Sequence, residues 1–130
     1  MQNNFLSEAK EFFAEAKTEY EKAEREENKV LMGDACEKAW NAVVLATNYL
    51  FVEKKLPLPK SSRDRRLGLW ELEKQDRSIK DKSLLDRFSA RLYNLHEQAF
   101  YVGYIDPIET KGEIEKVKDY IEDIEKIAKM

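Results

Sequence analysis

Apolar residues recur at spacings of three and four through most of the chain, the repeat of a helical face turned toward a core. From Phe5 to Asn28 the stripe is Leu6, Ala9, Phe13, Ala16, Tyr20 and Ala23, widened by Phe12, and it predicts one long amphipathic helix. Gly33-Asp34 reads as a break, with Asp34 the N-cap of a second helix from Ala35 to about Lys55. That helix carries Ala35, Ala39, Ala42/Val43, Ala46 and Tyr49/Leu50 on one face, broadened by Trp40, Phe51 and Val52. Its alanines let a neighbouring helix come close. The two prolines and two serines of LPLPKSS, Leu56 to Ser62, mark the main connecting loop.

A shorter helix is predicted over Arg63 to Asp76, with Leu67 and Trp70 facing inward and Leu69 and Leu72 as further candidates. The polar stretch Asp76 to Lys82 separates it from a fourth helix, Ser83 to about Val102, which Gly103 and Asp106-Pro107 end. The last helix, near Thr110 to Lys129, carries Ile114, Val117, Ile121, Ile124 and Ala128, with Glu113 placed to close a capping box on Thr110. The fold class is therefore all-α. The expected architecture is an up-and-down antiparallel helical bundle of four long helices plus one short helix, a single domain over residues 1–130, with over about 70 % helix and no sheet.

Composition agrees: 38 % charged residues with 4 glycines and 3 prolines suit a helical protein better than a sheet protein. No run of about 18 apolar residues predicts a membrane span. The first residues, MQNNFLSEAKEF, lack the basic and apolar regions of a signal peptide. The lone Cys36 cannot form an internal disulfide, and the expected location is cytoplasmic. The net charge of −3 hides an asymmetry: 12 Lys/Arg stand against 6 Asp/Glu between Lys54 and Arg91, whereas the remainder has 11 against 20. Arg63, Arg65, Arg66, Arg77, Arg87 and Arg91 all fall in that middle third, where polyanions would be attracted; a solvated basic face is the plainer alternative.

The only histidine, His96, lies in RLYNLHEQAFY, five positions after Arg91. On an ideal wheel Leu85, Phe88, Leu92, Leu95, Ala99 and Val102 fill one arc that includes His96. Arg91 lies at its edge, about 140° from His96. Arg87, Asn94, Gln98 and Tyr101 form the polar flank. A single histidine on an apolar face is most often a packing residue, and the alternative is the proton chemistry of imidazole. One His and one Cys far apart supply too few ligands for a zinc site, so no metal is expected. Cys36 sits in an alanine-rich stripe, where packing is its ordinary role. No glycine-rich phosphate loop is present, and no cofactor is expected.

Arg91-Leu-Tyr-Asn-Leu-His96 fits the Arg-x4–6-His signature of the HEPN superfamily (higher eukaryotes and prokaryotes nucleotide-binding). Gly33-Asp34-Ala-Cys-Glu-Lys38-Ala-Trp40 and Leu95-His96…Phe100-Tyr101 resemble its archaeal branch. The resemblance covers most of the chain. It implies a homodimer with composite clefts and, in active members, a metal-independent endoribonuclease. His96 would then be the general acid or base and Arg91 the residue that stabilises charge on the phosphate. Arg87, Asn94, Tyr101, Arg63, Arg65 and Arg66 are the candidate RNA- or nucleotide-binding residues. A rival reading is a non-catalytic helical interaction module, the partner of a nucleotidyltransferase.

Overall fold

The helical repeat is realised throughout. In the computed structural model, which describes residues 3–130, 83 % of those residues are helical and no strand occurs among them. Helix α1 (Phe5–Arg25) is followed by α2 (Lys29–Glu53), α3 (Ser62–Gln75), α4 (Arg77–Asp81), α5 (Leu84–Arg91), a π-helix π1 (Leu92–Val102) that continues α5, and α6 (Pro107–Ala128). No helix among the described residues is long and apolar enough to cross a membrane.

Three boundaries and one buried face differ from the expectation, each for a local reason. Helix α2 starts at Lys29, because the Asn28 side chain accepts the Leu31 N–H at 3.0 Å and caps the helix there. Gly33-Asp34 therefore lies inside α2. A Cβ on Gly33 would meet the Ala99 carbonyl oxygen of π1 at 3.6 Å, an ordinary contact distance, so the glycine neither breaks the helix nor is demanded by the crossing. In α3 the buried residues are Leu69 and Leu72, while Leu67 and Trp70 face outward, Trp70 beneath the Lys74 ammonium at 4.9 Å. The polar stretch after it forms a second short helix, α4, in which Asp76 accepts the Ser78 N–H at 2.9 Å and Ile79 is fully buried. The count of short helices is thus two.

Asp106 caps α6 by accepting the N–H groups of Ile108 and Glu109, with Pro107 in the first helical position. The helix consequently begins before Thr110, and the capping box of Thr110 with Glu113 does not form; both are buried inside the helix instead.

Helix α2 is the hub, packed against α1, α6 and π1 and touching α3 and α5. Its alanines Ala35, Ala39, Ala42 and Ala46 are all fully buried, as close helix approach requires. Opposite them lie Ala9, Ala16, Tyr20 and Ala23 of α1 and Ile114, Val117, Ile121 and Ile124 of α6. The buried hydroxyls of Thr47 on α2 and Tyr120 on α6 are satisfied: they meet at 2.7 Å, and that of Thr47 also lies 2.8 Å from the Val43 carbonyl.

Cys36 is part of this core. Burial, and secondarily the Glu37 carboxylate, push its thiol up to about 12. The native protein is expected to resist alkylation by iodoacetamide at pH 8 and to react at once in denaturant, since the thiolate is the nucleophile. Rapid labelling of the folded protein, followed by mass spectrometry, would show that the helix pair opens.

Candidate functional site

Glu37 and Trp40 are three residues apart on α2, which puts both side chains on the face that meets π1. His96 of π1 comes down between them. Its Nδ1 lies 2.8 Å from Glu37 Oε1, and its ring centroid is 5.9 Å from Trp40 and 6.3 Å from Phe100, both in stacked orientation. Tyr101 approaches the imidazole edge-on at 6.1 Å. This last contact is made possible by the wide turn of the π-helix, in which residues five apart take the places that residues four apart take in an α-helix. In a regular α-helix Tyr101 would point about 140° away from His96.

A carboxylate has only acceptors, so the Nδ1 facing Glu37 carries a proton, and whenever the ring is neutral it is Nε2 that keeps the lone pair. The His96 side chain is 32 % exposed, neither sealed nor freely solvated. An oriented imidazole with one nitrogen spoken for can take a proton from, or return one to, a bound group.

Arg91 has another environment. It is 6 % exposed, and its Nε lies 2.8 Å from Glu113 Oε2 of α6. The approach is a close charge contact and not a well-aligned hydrogen bond, and neither atom has another partner. The second oxygen of Glu113 accepts from the Lys116 ammonium at 3.2 Å. Burial pulls the Arg91 guanidinium below its ordinary value, and Glu113 opposes that pull. Arg91 thus faces α6 while His96 faces α2, and the two side chains share no partner. Asn94 lies on the Arg91 side, lining a small polar cleft of about 130 Å³ with Tyr93, Gln98, Tyr104 and Glu113.

The remaining basic candidates are spread over the other end of the bundle. Arg87 donates to Asp123 at 2.9 Å and lies over the Tyr120 ring at 5.6 Å. Arg65 is half-buried and donates from Nε to Asn48 at 3.0 Å, its guanidinium lowered chiefly by burial. Arg63 and Arg66 are exposed and, among the described residues, have no carboxylate within ion-pair distance. Of the sequence-derived candidates the structure therefore brings His96 and Tyr101 together, and keeps Arg91 with Asn94 and the other arginines apart from them. Glu37 and Glu113, the two partners that define these environments, carry no signal in the sequence beyond being carboxylates among many. Among the described residues no group of three or more His, Cys, Asp or Glu side chains is gathered as a metal site would need.

The fold and the site together define a small all-helical protein with a partly exposed histidine–carboxylate pair in an aromatic setting. The chain belongs to the archaeal PaREP1/PaREP8 family, whose model matches residues 5–128. No curated protein and no solved structure matches it.

Proposed function

We propose that the chain is a HEPN-like up-and-down helical bundle that binds RNA or a nucleotide on the surface around His96 and cleaves RNA there without a metal. The observation that carries this reading is the partly exposed imidazole held by Glu37 between the faces of Trp40 and Phe100. Phe100 and Tyr101 beside it are exposed and offer aromatic surface on which a base can stack, while Trp40 is buried behind the imidazole. In the reaction, His96 Nε2 takes the proton of a ribose 2′-hydroxyl as the 2′-oxygen bonds to the adjacent phosphorus. The bond from phosphorus to the 5′-oxygen breaks, that oxygen takes a proton from water, and a 2′,3′-cyclic phosphate and a 5′-hydroxyl result. Glu37 supports the imidazolium that forms. Arg63 and Arg66 contribute long-range attraction to phosphates. Arg91 acts on the site indirectly, by tying the helix that presents His96 to α6. The test is a gel assay on mixed RNA with chelator present, comparing wild type with His96→Ala. Cleavage by wild type alone supports the reading, and RNA left whole by both removes the enzyme.

The same end of the molecule supports the homodimer. Tyr101, Val102, Tyr104 and Ile108, close together in the chain, are all more than 60 % exposed, and such a run of exposed large apolar side chains suits a partner surface. Light scattering is expected to return twice the chain mass of 15.3 kDa at micromolar concentration. A mass of one chain would leave the exposed end to a different protein, as in the reading of a helical interaction module paired with a nucleotidyltransferase.

A further inference from the structure

Beside the histidine, the first two turns of α2 and the end of π1 enclose a cleft of about 310 Å³ lined by Lys29, Gly33, Asp34, Phe100, Gly103 and Ile105. Two glycines leave its walls bare: Gly33 at the helix crossing, and Gly103, whose left-handed conformation (φ 85°) ends π1 and beside which a Cβ would meet nothing within 4 Å. Phe100 lines the cleft and its ring stacks on His96, so cleft and histidine are neighbours on one surface. The volume is at the small end of ligand sites, room for one planar ring system.

We propose that this cleft is a guanine pocket, with the base lying against Phe100 and its Watson–Crick edge on Asp34. The proposal rests on the reading of the surface as RNA- or nucleotide-binding. Stacking on Phe100 favours every base and selects none. Selection comes from Asp34, whose carboxylate offers two acceptors and no donor. Guanine alone presents two adjacent donors, N1–H and the 2-amino group, which match those acceptors as a charge-assisted pair. Adenine and cytosine set one amino donor beside a ring acceptor, and uracil sets its single N–H between two carbonyls, so each would bring a lone pair against the carboxylate. Asp34 is exposed and, among the described residues, has no hydrogen-bond or ion-pair partner in contact, so it is available. Lys29 at the same mouth is likewise without an ion-pair partner among the described residues, and supplies a cation for the phosphate of that nucleotide.

Calorimetric titration with GMP, AMP, CMP and UMP tests this, with a uridine oligomer carrying one guanosine to separate free nucleotide from RNA. GMP is expected to bind on the order of tenfold tighter than the others, the scale of one two-pronged base contact. Asp34→Asn should remove that preference by weakening GMP and strengthening AMP, since the amide sets a donor beside an acceptor as adenine requires, and Phe100→Ala should weaken all four. Asp34 is a surface residue with no contacts to lose, and unchanged circular dichroism would verify that its variant folds. Equal affinity for the four nucleotides, or a guanine preference that survives Asp34→Asn, overturns the guanine pocket but leaves the RNA surface standing. Failure of every nucleotide and of the oligomer to bind overturns both.

Discussion

Glu113→Ala is expected to destabilise the protein by about 3–5 kcal/mol, the cost of stranding one member of a buried ion pair. The side chains of Arg91 and Glu113 are only 7 % and 9 % exposed, so water cannot replace the lost carboxylate. Arg91→Ala should cost a similar amount by leaving the Glu113 carboxylate with Lys116 alone. The double variant Arg91→Met/Glu113→Leu is the informative one. It removes both charges and fills the space with apolar atoms, and exchanges of this kind are often neutral or better. Urea unfolding should therefore place it near wild type and above either single variant, a coupling that a double-mutant cycle reads directly. If Glu113→Ala moves stability by less than about 1 kcal/mol, the pair is a surface contact. Arg91 would then be free to meet substrate.

That environment of Arg91 was beyond the reach of a helical wheel. The wheel puts Arg91 at the edge of the apolar arc, but its partner lies on α6, and nothing local announces a carboxylate that will be buried across a helix crossing. Glu37 is hidden in the same way, one of many acids that alternate with lysines. Long stripes were legible: the expected faces of α1, α2 and α6 are the faces that pack, except that Val52 at the end of α2 is exposed. Short segments were not, because two stripes competed on equal terms in α3. Leu69 and Leu72 face the core there, and Leu67 and Trp70 do not. Ile79 alone in a polar stretch gives no period at all, yet Asp76 caps a helical turn that buries it. Gly33 misled for a physical reason. A glycine inside a helix costs about 1 kcal/mol relative to alanine, so it reads as a break, whereas the helix is capped five residues earlier by Asn28. The π-helix is the remaining omission. Nothing in LYNLHEQAFYV marks it, and it is what carries Tyr101 round to His96.

The second large effect is on the chemistry at that histidine. His96→Ala is expected to slow RNA cleavage by about 10²–10⁴-fold, the range for loss of a positioned acid–base group. Its effect on stability should be small, since the side chain is a third exposed. The Glu37 variants separate the two services that residue performs. Glu37→Gln keeps an acceptor for Nδ1–H, so the ring orientation survives, but it removes the charge that supports the imidazolium; it should lose less than His96→Ala. Glu37→Leu removes both and should fall close to the histidine variant. His96 is the only imidazole in the chain, so nitrogen chemical shifts report its tautomer without assignment work. Wild type and Glu37→Gln should show Nδ1–H, whereas Glu37→Leu should show a mixture. Arg91→Lys supplies the opposing test, because lysine keeps the cation beside Glu113 and loses only the planar fork. If Arg91 serves as the tie to α6, this variant should cleave RNA at close to the wild-type rate wherever it stays folded. A loss of one to three decades in rate with stability unchanged would mean that Arg91 leaves Glu113 in the working state and grips the phosphate itself.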